Sequence, residues 1–228
     1  MIGIAIAATR EWKEVLKIYK ITEDEIIEYP FGVYFLKELN NKKCIFYKCT
    51  GRKVISASAT QYMIDHYSLN KVLLIGTCAG IDDKYKPIDI IVPTLAVQYD
   101  CTVKEIEPLI KEKFNVEIDL SKYNFEYNTG IIGTADKAVV MWKDYLELKN
   151  NNITIADCES AAIAYICKAN NVECIIIKGI SDFPSNEEKS DAKQSNDEQL
   201  DVFITNTPIV MKKICTDYLC KFIQLHIL

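Results

Sequence analysis

Three acidic residues stand near the ends of strand-like runs in this chain: Glu11, Glu159 and Asp182. Carboxyl groups so placed can pass protons to a reacting centre, accept hydrogen bonds from hydroxyls and stabilise developing positive charge. Glu159 and Asp182 belong to one compact unit, Ile153 to Pro184. Ile153 to Ala156 is a short apolar run, and from Glu159 to Ala169 apolar residues recur at helical spacing, so Glu159 opens a helix. Val172 to Ile177 is a nearly continuous apolar run of the kind that fills a strand buried on both faces, with Gly179-Ile180-Ser181-Asp182 at its carboxyl end. Ligands of open α/β sheets sit outside the carboxyl ends of strands, which makes both acids candidates for one pocket. Simpler placements also account for each alone: a turn or helix cap for Asp182, and an acid complementing a helix macrodipole for Glu159 or Glu11.

Other residues fall at comparable places. Gly76-Thr77-Cys78-Ala79-Gly80 follows the apolar run Lys71 to Ile75 and reads as a glycine turn, where backbone can approach a ligand and amides can point at it. Arg10 and Arg52 are the only arginines in a chain that otherwise uses lysine, and both lie in turns after strands. A guanidinium fork suits phosphate better than an ammonium does, although two exposed turn arginines need no ligand.

Composition narrows the function classes. At 228 residues the chain suits one α/β domain and is short for two. A net charge of -5 argues against a nucleic-acid footprint and for a small-molecule partner. Met1 to Ala8 is apolar but lacks a basic leader and is too short for a secretory or membrane segment, so a cytoplasmic protein without a membrane partner is expected. Nine cysteines without a C-x-x-C pair, and two histidines with His226 in an apolar tail, imply no metal site and no cofactor.

The elements that must position these groups follow from periodicity. Ile2 to Ala8 reads as a buried strand, with a helix from about Trp12 to Tyr19; Phe31 to Leu39 and Cys44 to Cys49 read as a hairpin; Val54 to His66 reads as a small-residue helix. Further strands are expected at Lys71 to Ile75, Ile88 to Val92 and Ile131 to Thr134, around a mixed segment from Pro93 to Asn128. Phe183 to Gln199 is polar and reads as an exposed loop or lid. A final amphipathic helix lies within Asp201 to Ile223, starting near Thr207-Pro208.

The order strand-then-Glu11, GTCAG, TADK, DCESAA and GISDFP resembles the nucleoside phosphorylase and nucleosidase superfamily, most closely its 5′-methylthioadenosine/S-adenosylhomocysteine nucleosidase branch. The resemblance covers nearly the whole chain and implies a three-layer α/β/α sandwich, with a central twisted mixed sheet that curls into a partial barrel. It implies cleavage of the N-glycosidic bond of a purine nucleoside by hydrolysis, in a homodimer, without cofactor. Asp182 then matches the proton donor to the seven-position nitrogen of the purine, with Ser181 orienting it and Phe183 beside it. Glu159 matches the residue that holds the ribose diol, and Glu11 the one that activates water, near Thr77, Cys78 and Ala79. Cys158 stands where the branch usually has methionine, and Ala138 and Val139 where it usually has a base-stacking phenylalanine. Arg10 and Arg52 are the possible phosphate contacts of a phosphorylase. Against phosphorolysis, Leu74 stands where the phosphorylases' arginine would be, and Glu11 would repel phosphate. A non-catalytic nucleoside-binding protein of the same fold is the remaining alternative, one that would need the diol contact but not a proton donor. The apolar residues Leu109, Ile110, Phe114 and Val116 of the mixed segment are candidates for a dimer surface.

Overall fold

The structure is a computed structural model and describes residues 1–100, 107–139, 141–184 and 192–224. In chain order the elements are β1 (Ile2–Ile6), α1 (Thr9–Tyr19), β2 (Ile27–Tyr29), β3 (Gly32–Leu39), β4 (Lys42–Lys48), α2 (Arg52–Tyr67), β5 (Lys71–Gly80), β6 (Ile90–Gln98), α3 (Glu107–Phe114), β7 (Val116–Glu117), β8 (Asn128–Thr134), α4 (Trp142–Asn150), β9 (Ile155–Asp157), α5 (Ser160–Ala169), β10 (Glu173–Asp182), α6 (Ala192–Lys213) and α7 (Leu219–Ile223). A π-helical turn, Ile214–Tyr218, joins the last two helices.

The strands form one mixed sheet in the order β10-β6-β8-β9-β5-β1-β4-β3-β2, and β10 also pairs with β5. That extra pairing closes β5, β9, β8, β6 and β10 into a ring, from which β1, β4, β3 and β2 extend as an open wing. Four strands at the junction, β4, β1, β5 and β10, are mutually parallel, so their carboxyl ends face the same way. Ile4, Ile6, Val72 to Ile75 and Ile175 to Ile177 are fully buried along them, as continuous apolar runs covered on both faces must be. Helices α1 and α6 pack together, as do α2 and α5, and these pairs cover the sheet.

Two expectations are corrected. Gly76 to Gly80 is no turn: β5 runs through it to Gly80, because these residues stay paired with β10 and β9. The last helix starts at Ala192 rather than near Pro208, so the second half of the expected Phe183 to Gln199 loop is helical. Pro208 lies inside that helix; it removes one hydrogen bond, while burial of Val210, Met211 and Ile214 below it holds the axis. The middle of that loop, residues 185–191, lies outside the described residues, as does His226 in the tail.

Candidate active site

A cavity of about 560 Å³ opens over the carboxyl ends of β1, β5 and β10, within the size range of small-ligand sites. It brings together Glu11, Thr77, Glu159 and Asp182, with Cys78, Ala79, Val139, Cys158, Ser181 and Arg52 also on its wall. Arg10 and Phe183 do not line it. Arg10 is exposed on the first turn of α1, and the Phe183 ring lies against Gly80 instead, so close that a Cβ there would sit 2.4 Å from it.

Glu11 sits one turn into α1, directly after β1, and is 2% exposed. Its Oε2 accepts the Ala8 N–H at 2.9 Å, reaching back over the helix start. Its Oε1 accepts both the Thr77 N–H at 2.6 Å and the Thr77 hydroxyl at 2.7 Å. Gly76 permits this approach, since a Cβ there would meet Oε1 at 2.7 Å. A carboxylate offers about four acceptor positions, so three donors fix Glu11 and leave room for a donor from the cavity.

Asp157 and Lys178 form the buried frame of the site. Lys178, 1% exposed in β10, is 2.9 Å from Asp157. Asp157 also accepts the hydroxyls of Thr134 at 2.8 Å and Ser160 at 2.6 Å, and the Ser160 N–H at 3.1 Å. These bonds hold the start of α5, whose N-cap residue is Glu159; the Glu159 side chain makes no cap bond of its own. Burial, followed by the nearby charges of Asp157 and Glu11, pushes Glu159 up to about 8 against the pull of Lys178. Burial draws Lys178 down, but Asp157, Glu11 and Glu159 more than reverse it and leave it raised.

Asp182 ends β10 at 7% exposure. Burial lifts it above the usual carboxylic range, opposed by hydrogen bonds from Ser181 and Gln199. The Ser181 hydroxyl contacts Asp182 Oδ1 and lies 3.2 Å from the Cys78 carbonyl. One hydroxyl proton cannot serve two acceptors. It serves Asp182 Oδ1 or the Cys78 carbonyl in turn. Gln199 Nε2 donates to Asp182 Oδ2 at 2.5 Å and to the Val139 carbonyl at 2.9 Å, and Asn206 Nδ2 donates to the Ser181 carbonyl at 2.7 Å, so α6 braces this end.

Sequence reasoning missed Asp157, Lys178, Gln199 and Phe203, all at or beside the cavity. The first two had a signal: a single lysine inside an apolar run, and a second acid two residues before Glu159. Gln199 and Phe203 had none, since their positions depend on where α6 starts. A larger hollow of about 910 Å³, beside β7 and α5, is also lined by acids, but Glu112, Glu117 and Asp119 are exposed, Glu173 is half-buried and the lysines Lys122 and Lys168 are exposed among them, so these are solvated surface charges.

Residues 2–215 match the phosphorylase superfamily, and the chain belongs to that family. Among curated relatives, a 5′-methylthioadenosine/S-adenosylhomocysteine nucleosidase of Buchnera aphidicola is 26% identical over 86% of this chain and 90% of its own length. An aminodeoxyfutalosine nucleosidase of Campylobacter jejuni is 25% identical over 65% of this chain and 71% of its own. The fold matches the crystal structure of the Helicobacter pylori 5′-methylthioadenosine/S-adenosylhomocysteine nucleosidase, with a TM-score of 0.75, 24% identity and coverage of 94% and 97% of the two chains.

Proposed function

We propose that this protein hydrolyses the N-glycosidic bond of a purine nucleoside of the methylthioadenosine/S-adenosylhomocysteine type, releasing free base and free sugar. The observation that carries the reading is the gathering of Asp182, lifted by burial above its ordinary value, with Glu159 and a fixed Glu11 in one cavity. A purine anion leaves poorly, and Asp182 offsets this by giving its proton to the seven-position nitrogen, a step of the kind that supplies about 100- to 10,000-fold. Glu159 accepts the ribose hydroxyls and lies under the ring where oxocarbenium charge develops. Glu11 accepts a proton from water at its remaining acceptor position, and the Thr77 hydroxyl oxygen is a second acceptor for that water.

Phosphorolysis is the lesser reading. Arg10 is off the cavity and Leu74 is fully buried, so Arg52 is the one arginine on its wall, where phosphate binding favours a cluster of guanidinium groups. The chain acts as a single domain, in the cytoplasm and as a homodimer whose partner closes the 5′ end of the pocket. Supporting this, no helix among the described residues is long and apolar enough to cross a membrane, and Leu109 is 65% exposed on α3. Incubating the protein with methylthioadenosine and with adenosine, and chromatographing the products, tests the class: free adenine appears if the reading holds, and intact nucleoside in both reactions contradicts it.

A further inference from the structure

Arg52 is a cation on the cavity wall that nothing among the described residues pairs. Lys178 is bound to Asp157 at 2.9 Å, and Lys137 reaches Asp144 at 2.9 Å and Glu147 at 3.3 Å. Lys53, the next residue, holds Asp100 at 2.6 Å and Asp136 at 3.6 Å. Among the described residues the Arg52 side chain, exposed at the cavity mouth, has neither hydrogen bond nor ion pair, yet it lines the cavity. It also holds a left-handed backbone, φ 63°, a conformation that costs an arginine what a glycine would avoid.

Strand order fixes where along the cavity this charge lies. β4, β1, β5 and β10 are successive neighbours. The groups at their carboxyl ends follow in the same order: Arg52 just beyond β4, Glu11 just beyond β1, Thr77 in β5, Asp182 ending β10. At about 4.8 Å per strand, β4 and β10 are roughly 14 Å apart. A purine held at Asp182, with its anomeric carbon over Glu11 and Thr77, therefore directs its 5′ substituent toward Arg52. The charge of Arg52 is felt on the sugar side, at Cys158. There, burial, then Glu159 and Asp157, push the thiol up to about 12, and Arg52 opposes them.

We propose that Arg52 selects nucleosides whose 5′ substituent carries an oxyanion, a carboxylate or a phosphate. The inference rests on the nucleosidase reading and adds the substrate's far end to it. Glu11 and Asp157 oppose an anion in the body of the cavity, so a guanidinium placed beyond them, without a partner of its own among the described residues, is the group that admits one. Its fork offers paired, charge-assisted hydrogen bonds that carboxylate and phosphate oxygens match and a methylthio group does not.

The test compares adenosines with a 5′-carboxyalkylthio chain, the uncharged amide of the same chain, and a 5′-phosphate. The wild-type kcat/KM should favour at least one anionic compound over the amide by about tenfold or more, the worth of one charge-assisted hydrogen bond. Which anion is favoured identifies the source of the oxyanion. Arg52→Gln should collapse that ratio toward one, and Arg52→Lys should restore part of it. Inorganic phosphate should compete with the anionic compound more than with the amide. Binding of the same compounds to the Asp182→Asn protein reads the preference without cleavage. Absent cleavage with a retained preference would then count against the nucleosidase reading alone. Equal handling of amide and anions by the wild type, a ratio unchanged in Arg52→Gln, or acceleration by inorganic phosphate with a sugar 1-phosphate product would overturn the role given to Arg52.

Discussion

The two ends of strands β5 and β10 each bury one lysine and treat it differently. At the amino end, Lys71 is 2% exposed and donates to the Tyr123 hydroxyl at 2.7 Å and the Phe222 carbonyl at 3.1 Å. Among the described residues its ion-pair partner there is Glu173, 3.7 Å away and partly solvated, and burial holds the lysine below its usual range. At the carboxyl end, Lys178 is ringed by Asp157, Glu11 and Glu159 and is raised instead. The first lysine ties the C-terminal helix to the sheet with Glu173 and the cations of Lys42 and Lys122 around it. The second is outnumbered by acids. A fold that needed only cohesion would not gather more carboxyl groups than it can neutralise, because buried like charges raise one another's cost. The surplus is what an oxocarbenium ion requires of its surroundings.

The sharpest way to break this contrast is Asp182→Asn. Turnover on purine nucleosides should fall by about 100- to 10,000-fold, while melting temperature and nucleoside binding stay close to wild type. Near-native turnover would remove the general acid from the account. Next in size is Lys178→Met, which leaves buried carboxylates without their cation and should cost about 3–5 kcal/mol in urea unfolding; adding Asp157→Asn should recover part of that loss. Lys71→Met, by contrast, should cost only about 1 kcal/mol, since Glu173 can turn to solvent. Equal losses at the two lysines would erase the distinction between the ends. The smallest effect concerns pH. Folded Glu159 holds its proton more tightly than the unfolded chain does, between its ordinary value of 4.5 and about 8. Unfolding therefore releases a proton in that window, and stability falls as pH rises through it. Glu159→Gln should flatten this decline, with Asp182 supplying what remains of it; an unchanged slope would mean that Glu159 is ordinary.

How much of this was legible in the residues follows from what each signal depends on. The buried strands could be read because continuous apolar runs such as Val172 to Ile177 have few other uses, and the acids at their ends could be read with them. The glycine-rich stretch after Ile75 misled: glycines usually mark turns, but here β5 continues, and Gly76 is small to admit Glu11 from the first turn of α1. That is a tertiary reason with no local sign. The start of α6 was likewise hidden, because a polar, charged segment forms helix only where its next turns dock on β10, and so Gln199 and Phe203 went unseen. Arg10 and Arg52 looked equivalent in sequence. The left-handed backbone after Gly51 and the position of α2 put Arg52 on the cavity wall, while Arg10 does not line it.

The central claim is that the acid-rich end delivers water to the anomeric carbon. Single-turnover cleavage in ¹⁸O-labelled water with inorganic phosphate present, quenched before the sugar exchanges oxygen with solvent, tests it most directly. The account expects one labelled oxygen on the anomeric carbon of a free sugar, at a rate indifferent to phosphate and strongly depressed in Glu11→Gln. An unlabelled sugar 1-phosphate, formed faster as phosphate is added, would contradict it and remove the role given to Glu11.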